Sequence, residues 1–102
     1  SAPEQIDPEA YGGTDDRTDI YQLGIVAYEA FTGCRPFEYE TSSATINAVL
    51  NEEPTAPSEY NSDLPDAIDT VLLTALSKEK AKRYETVLHF RDALRRVFHA
   101  IE

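Results

Sequence analysis

The chain has 102 residues, 41% of them apolar and 27% charged, with a formal net charge of −10. That size bounds it to one domain with one modest core, in the composition range of soluble globular chains. The excess of acids excludes nucleic-acid binding through phosphates, the single cysteine excludes an internal disulfide and a thiolate zinc site, and no apolar run approaches the roughly 20 residues of a membrane helix.

The charge is laid out in blocks. Residues 1–51 hold nine acids and two bases, residues 52–77 six acids and no base, and residues 78–102 four acids and seven bases. The basic end reads as a solvated helix face, with a docking surface for an acidic lipid or partner as the alternative. There is no methionine and no visible targeting leader, so the chain is expected to be processed or an internal piece of a cytoplasmic protein.

In chain order, residues 1–14 read as irregular, because Pro3, Pro8, Gly12 and Gly13 break any long element. Pro3 can open a short helix, since proline is tolerated in a first turn. A helix is predicted over 18–32, with Asp15, Asp16 and Asp19 near its positive end and Gly33 and Pro36 as stop signals. Nine of the twelve residues from Ile20 to Phe31 are apolar, and they go round the helix instead of forming one stripe. Such a helix is normally buried on all sides, yet too few other residues exist to wrap it, so missing partner structure is expected.

A helix over 42–52 is predicted from the cap candidates Thr41, Ser42 and Ser43 and from Ile46, Val49 and Leu50 on one face. Residues 53–62 form a loop with two prolines. A fourth long segment starts near Pro65, with Ile68, Val71, Leu72, Ala75 and Leu76 at helical spacing. A charged connector, Lys78 to Arg83, precedes a last helix that begins after Thr86 and is expected to bury Val87, Phe90, Leu94, Val97, Phe98 and Ile101. No alternating strand pattern occurs, so the fold is expected to be all-α, about five helices around a buried central one.

Four runs resemble the C-terminal half of the large lobe of a protein kinase, of the eukaryotic-like Ser/Thr type found in bacteria and archaea. Ala2-Pro3-Glu4 resembles the A-P-E motif that closes the activation segment. Asp19-Ile20-Tyr21-Gln22-Leu23-Gly24 resembles the D-x-W/Y-x-L-G signature of the family's central helix. Thr32-Gly33-Cys34-Arg35-Pro36-Phe37 is similar to its T-G-x-x-P-F turn, and Ala75 to Tyr84 to its A-L-x-K-D-P-x-x-R-Y run. Glu79-Lys80 replaces the usual Asp-Pro, which puts the turn geometry of the connector in question. The four runs, in the family's order, spread the resemblance over essentially the whole of residues 1–102.

The resemblance implies roles for particular residues. Glu4 and Arg83 would form an ion pair that ties the activation segment to the helical base. Asp19 would accept hydrogen bonds from the catalytic-loop backbone. Ser1, Ala2 and Pro3 would shape part of the substrate platform. The 42–52 helix would be a docking surface, with a merely packed helix as the alternative.

Kinase chemistry is mostly positioning and charge neutralisation, and the groups it needs precede A-P-E in the family. No catalytic, cofactor-binding or metal residue is therefore expected in residues 1–102. ATP and magnesium are implied for the parent, and the remainder of the kinase domain and protein substrates are its implied partners. His89-Phe90-Arg91-Asp92 is no catalytic-loop motif, since Phe90 interrupts it and it follows the A-P-E-like run. Gly12-Gly13 lacks the spacing and lysine of a phosphate loop, and His89 and His99 are too far apart to chelate. Cys34 reads as an ordinary thiol.

The rival readings are a free-standing helical interaction module that self-associates through the 18–32 helix, and a pseudokinase remnant. The parent would work in the cytoplasm, free or anchored by a membrane helix.

Overall fold

The computed structural model describes residues 2–101, with side chains through His99. Ser1, expected in the substrate platform, lies outside the described residues. Six α-helices follow one another: α1 (Pro3–Ile6), α2 (Pro8–Tyr11), α3 (Asp16–Thr32), α4 (Ser42–Asn51), α5 (Asp66–Ala75) and α6 (Val87–Ile101). Single 3-10 turns occupy Pro57–Glu59 and Lys80–Lys82, and no strand occurs among the described residues.

The first fourteen residues are more ordered than their prolines imply. Pro3 and Pro8 both stand at the first position of a short helix, where the missing N–H removes no internal bond. Gln5 reaches back to accept the Ala2 N–H at 2.8 Å, and Asp7 accepts the Ala10 N–H at 3.2 Å. Helix α3 begins two residues earlier than the sequence pattern indicates. Its cap is Asp15, whose carboxylate accepts the Arg17 N–H while Thr18 Oγ1 accepts the Asp15 N–H. Thr41 caps α4 through the Ala44 N–H, and Thr86 accepts the His89 N–H at the start of α6.

Helix α3 is the spine. It places Ile20, Tyr21 and Tyr28 in the core, against Ile68, Leu72, Ala75 and Leu76 of the α5 segment, while α6 adds Phe90 and Val97. Val87, expected in the core, instead stands exposed in the first turn of α6, on the open side of α3, and the Ile101 side chain lies outside those described. Burying each such large side chain contributes about 1.5–3 kcal/mol. Gly24 makes the α3–α5 contact possible: a Cβ there would lie 3.1 Å from the Ala75 Cβ and 3.2 Å from Leu76 Cδ2. Aromatic pairs close the other contacts, Phe31 stacking on Phe98 and Tyr84 on Phe90, both with centroids 5.6 Å apart.

The chain forms a slab with principal extents of 43 × 30 × 15 Å. A slab that thin holds about two helix layers. One side of α3 therefore stays open: Leu23 is 41% and Val26 64% exposed. The central helix is only half wrapped, as the shortage of covering residues implies.

Candidate functional site

The site is built where the first residues of the chain meet the connector after α5. Helix α1 turns Glu4 inward, and the 3-10 turn at Lys80–Lys82 delivers Arg83 to it from 79 positions away. Arg83 Nη1 donates to Glu4 Oε2 at 2.7 Å and Nη2 to Glu4 Oε1 at 2.8 Å. Both side chains have no solvent exposure.

Each remaining donor of Arg83 is also used. Nε donates to the Ser77 carbonyl at 2.8 Å, Nη1 to the Arg17 carbonyl at 3.0 Å and Nη2 to the Lys78 carbonyl at 3.3 Å. The guanidinium lies 4.8 Å from the Tyr21 ring centroid. A guanidinium has five N–H donors, and here five acceptors meet them, so the buried cation is fully satisfied.

Thr18 completes the knot, and the sequence reading missed it. Its hydroxyl donates to Glu4 Oε2 at 2.6 Å while accepting the Asp15 N–H, so it joins the cap of α3 to the ion pair. The available signal was local: a threonine three positions after an aspartate at a helix start fits a capping box. Burial pushes the Glu4 carboxyl up, but hydrogen bonds from Arg83, Thr18 and its own backbone N–H together bring it below the usual value. Burial pushes the Tyr21 hydroxyl up to about 12.

Ala2 and Pro3 are buried beside Glu4. Asp19 is in the first turn of α3, exposed, and accepts no hydrogen bond among the described residues. Glu4 and Arg83 thus come together, with Ala2 and Pro3 adjoining, whereas Asp19 projects from the helix start.

Two lysines of the connector, also missed as site residues, reach across the molecule. Lys78 Nζ donates to the Val49 carbonyl at 2.7 Å, in the last turn of α4, and lies 5.0 Å from the Phe37 ring centroid. Burial lowers its pKa, against the pull of Glu53 and Glu52. Lys80 ties to the loop before α3. A cleft of about 260 Å³ opens between α3 and α4, with Gln22, Glu29, Arg35 and Thr45 among its walls. Among the described residues no group of three or more His, Cys, Asp or Glu side chains is placed to hold a metal ion.

Curated proteins carry closely similar sequence. Tyrosine-protein kinase MasK of Myxococcus xanthus is 41% identical over 93 residues, which cover 91% of this chain and 14% of that protein. Serine/threonine-protein kinase PksC of Streptomyces coelicolor is 37% identical over 97 residues, 93% of this chain and 17% of the relative. Serine/threonine-protein kinase PknB of Mycolicibacterium smegmatis is 38% identical over 96 residues, 94% of this chain and 15% of the relative.

The chain belongs to the protein kinase family. No family model matches it. The chain spans only 14–17% of the length of these relatives. Its all-helical fold agrees with the C-terminal half of a kinase large lobe. Among the described residues no helix is long and apolar enough to cross a membrane.

Proposed function

We propose that the intact protein is a Ser/Thr protein kinase that transfers the γ-phosphoryl group of ATP, with magnesium, to protein hydroxyls. In this reading residues 1–102 are one continuous portion of its domain: helical scaffold and part of the substrate platform, inactive alone. The observation that carries it is the buried Glu4–Arg83 pair. It fixes the Ala2-Pro3-Glu4 run on the helical base, where a platform must be held rigid if substrate is to be positioned for phosphoryl transfer.

Ala2 and Pro3, immobilised by that pair, form the described part of the platform. The carboxylate of Asp19, exposed and uncommitted at the α3 start, is available to backbone N–H groups of a loop outside this segment. The open side of α3 is the surface on which the rest of the kinase domain packs. ATP and magnesium bind elsewhere in the parent. The phosphoryl acceptor is assigned as Ser/Thr because PksC and PknB are named for it, with the tyrosine specificity named for MasK as the alternative.

Incubating the intact gene product with labelled ATP, magnesium and a protein substrate, followed by phosphoamino-acid analysis, tests the reading. Labelled phosphoserine or phosphothreonine is expected, and the 102-residue chain alone is expected to transfer nothing. An intact product that neither binds ATP nor transfers phosphate would contradict it. The exposed Leu23 and Val26 also suit a second reading, a helical interaction module, which a native product of this small size would favour.

A further inference from the structure

The loop from Gly12 to Asp15 is held differently from the buried knot beside it. Among the described residues the Gly13 and Thr14 N–H groups donate no backbone hydrogen bond, so the loop has little internal order. Its two ends are fixed, the Gly12 N–H donating to the Pro8 carbonyl at 2.8 Å and Asp15 capping α3, and between them the tie to the body of the molecule is Lys80. The Lys80 ammonium donates to the Gly13 carbonyl and, at 2.9 Å, to Asp15 Oδ2, while the Lys80 carbonyl accepts from Arg17 Nη1 at 3.4 Å. The lysine lies so close that a Cβ on Gly12, itself at φ +84°, would sit 3.3 Å from its Nζ.

The two ties differ in exposure. Glu4 and Arg83 side chains are at 0%, whereas Lys80 and Asp15 are 19% and 49% exposed. Lys80 is partly buried and Asp15 lies in solvent, so salt reaches this pair from the Asp15 side, whereas it cannot reach the sealed Glu4–Arg83 pair. The lysine also stands where the resembling kinase run has proline, a residue with no side-chain cation to make such a tie.

We propose that Lys80 is an ionic strap that sets the opening of the Gly12–Asp15 loop separately from the Glu4–Arg83 knot, so that ionic strength loosens the start of α3 while the core stays closed. Asp15 links the two levels. It caps α3 through the Arg17 N–H, and its own N–H is held by Thr18, which bonds Glu4. Releasing Lys80 frees the Asp15 carboxylate and loosens the first turn, and the Thr18–Glu4–Arg83 bonds limit how far the loosening spreads. This holds whether or not the intact protein transfers phosphate.

The test is hydrogen exchange read by mass spectrometry on the intact gene product, comparing a peptide over residues 12–20 with one over residues 68–76. Changing Lys80→Met keeps the stem and removes the charge; it is expected to speed exchange in the first peptide about two- to fivefold, the range an exposed pair carries. The second peptide is expected to stay unchanged. Raising salt from 0.05 to about 1 M should do the same to the unaltered protein and nothing further to the Lys80→Met variant, with Lys80→Arg behaving as the parent. Unchanged exchange over 12–20 in the variant, or an equal rise in both peptides, would overturn the proposal. If Lys80→Met does not fold, the salt series on the unaltered protein decides alone: a rise confined to 12–20 supports the strap, and no rise refutes it.

Discussion

Arg83 is a residue that neither lysine nor an apolar side chain can replace. Its five donors meet five acceptors in a solvent-free site, so the Arg83→Met change strands the Glu4 carboxylate and is expected to cost about 3–5 kcal/mol in denaturant unfolding. Arg83→Lys has three donors and no planar fork, and should still lose at least about 1 kcal/mol. The lowered Glu4 pKa carries a pH signature. A carboxyl lowered on folding adds stability that is fully present above its unfolded value, near 4.5, and is lost as pH falls through the native value. Acid titration of the unaltered protein should show this loss below about pH 4.5, and Glu4→Gln should reduce it, the remainder including the lowered Asp15. The pairing of Glu4 with Arg83 came from the kinase resemblance alone. Periodicity describes neighbours on one element and is silent about side chains that meet across 79 positions. For the same reason Thr18, Lys78 and Lys80 were invisible as cross-links: their partners lie on other elements.

At the scale of elements, α3 and α5 cross so closely at Gly24 that even a Cβ there would meet Ala75 at 3.1 Å and Leu76 at 3.2 Å, and the extra methyls of a valine would find no space. Gly24→Val should force the helices apart and cost about 2 kcal/mol or more, read as a lower denaturation midpoint with the α-helical circular dichroism retained. The end of α4 is held by Lys78, so Lys78→Met should increase hydrogen exchange in α4 before it affects α5. The four long helices were legible from different signals: acids at the start and a glycine stop for α3, a threonine cap for α4 and α6, and a periodic apolar set for α5, whose Pro65 N-cap makes no side-chain bond; their ends fall within about two residues of the pattern. The two short helices were not. Proline is a stop signal inside a helix and a start signal at its first position, and a four-residue element has no periodicity to choose between them.

For the whole molecule, the apolar surround of α3 is the informative feature. A two-layer slab 15 Å thick buries Ile20, Tyr21 and Tyr28 and leaves Leu23 and Val26 in solvent. The sequence showed that this helix had more apolar surface than 102 residues could cover; which side stays open depends on how α5 and α6 pack, and only the structure gives that. The lobe-segment reading requires the open side to be covered in the intact protein. Maleimide labelling of Val26→Cys, on a Cys34→Ser background, tests this directly when the dilute 102-residue chain is compared with the intact gene product. Rapid labelling of the chain and strong protection in the intact protein is the expected result. Equal, rapid labelling of both would mean that nothing packs on α3, and would contradict the account.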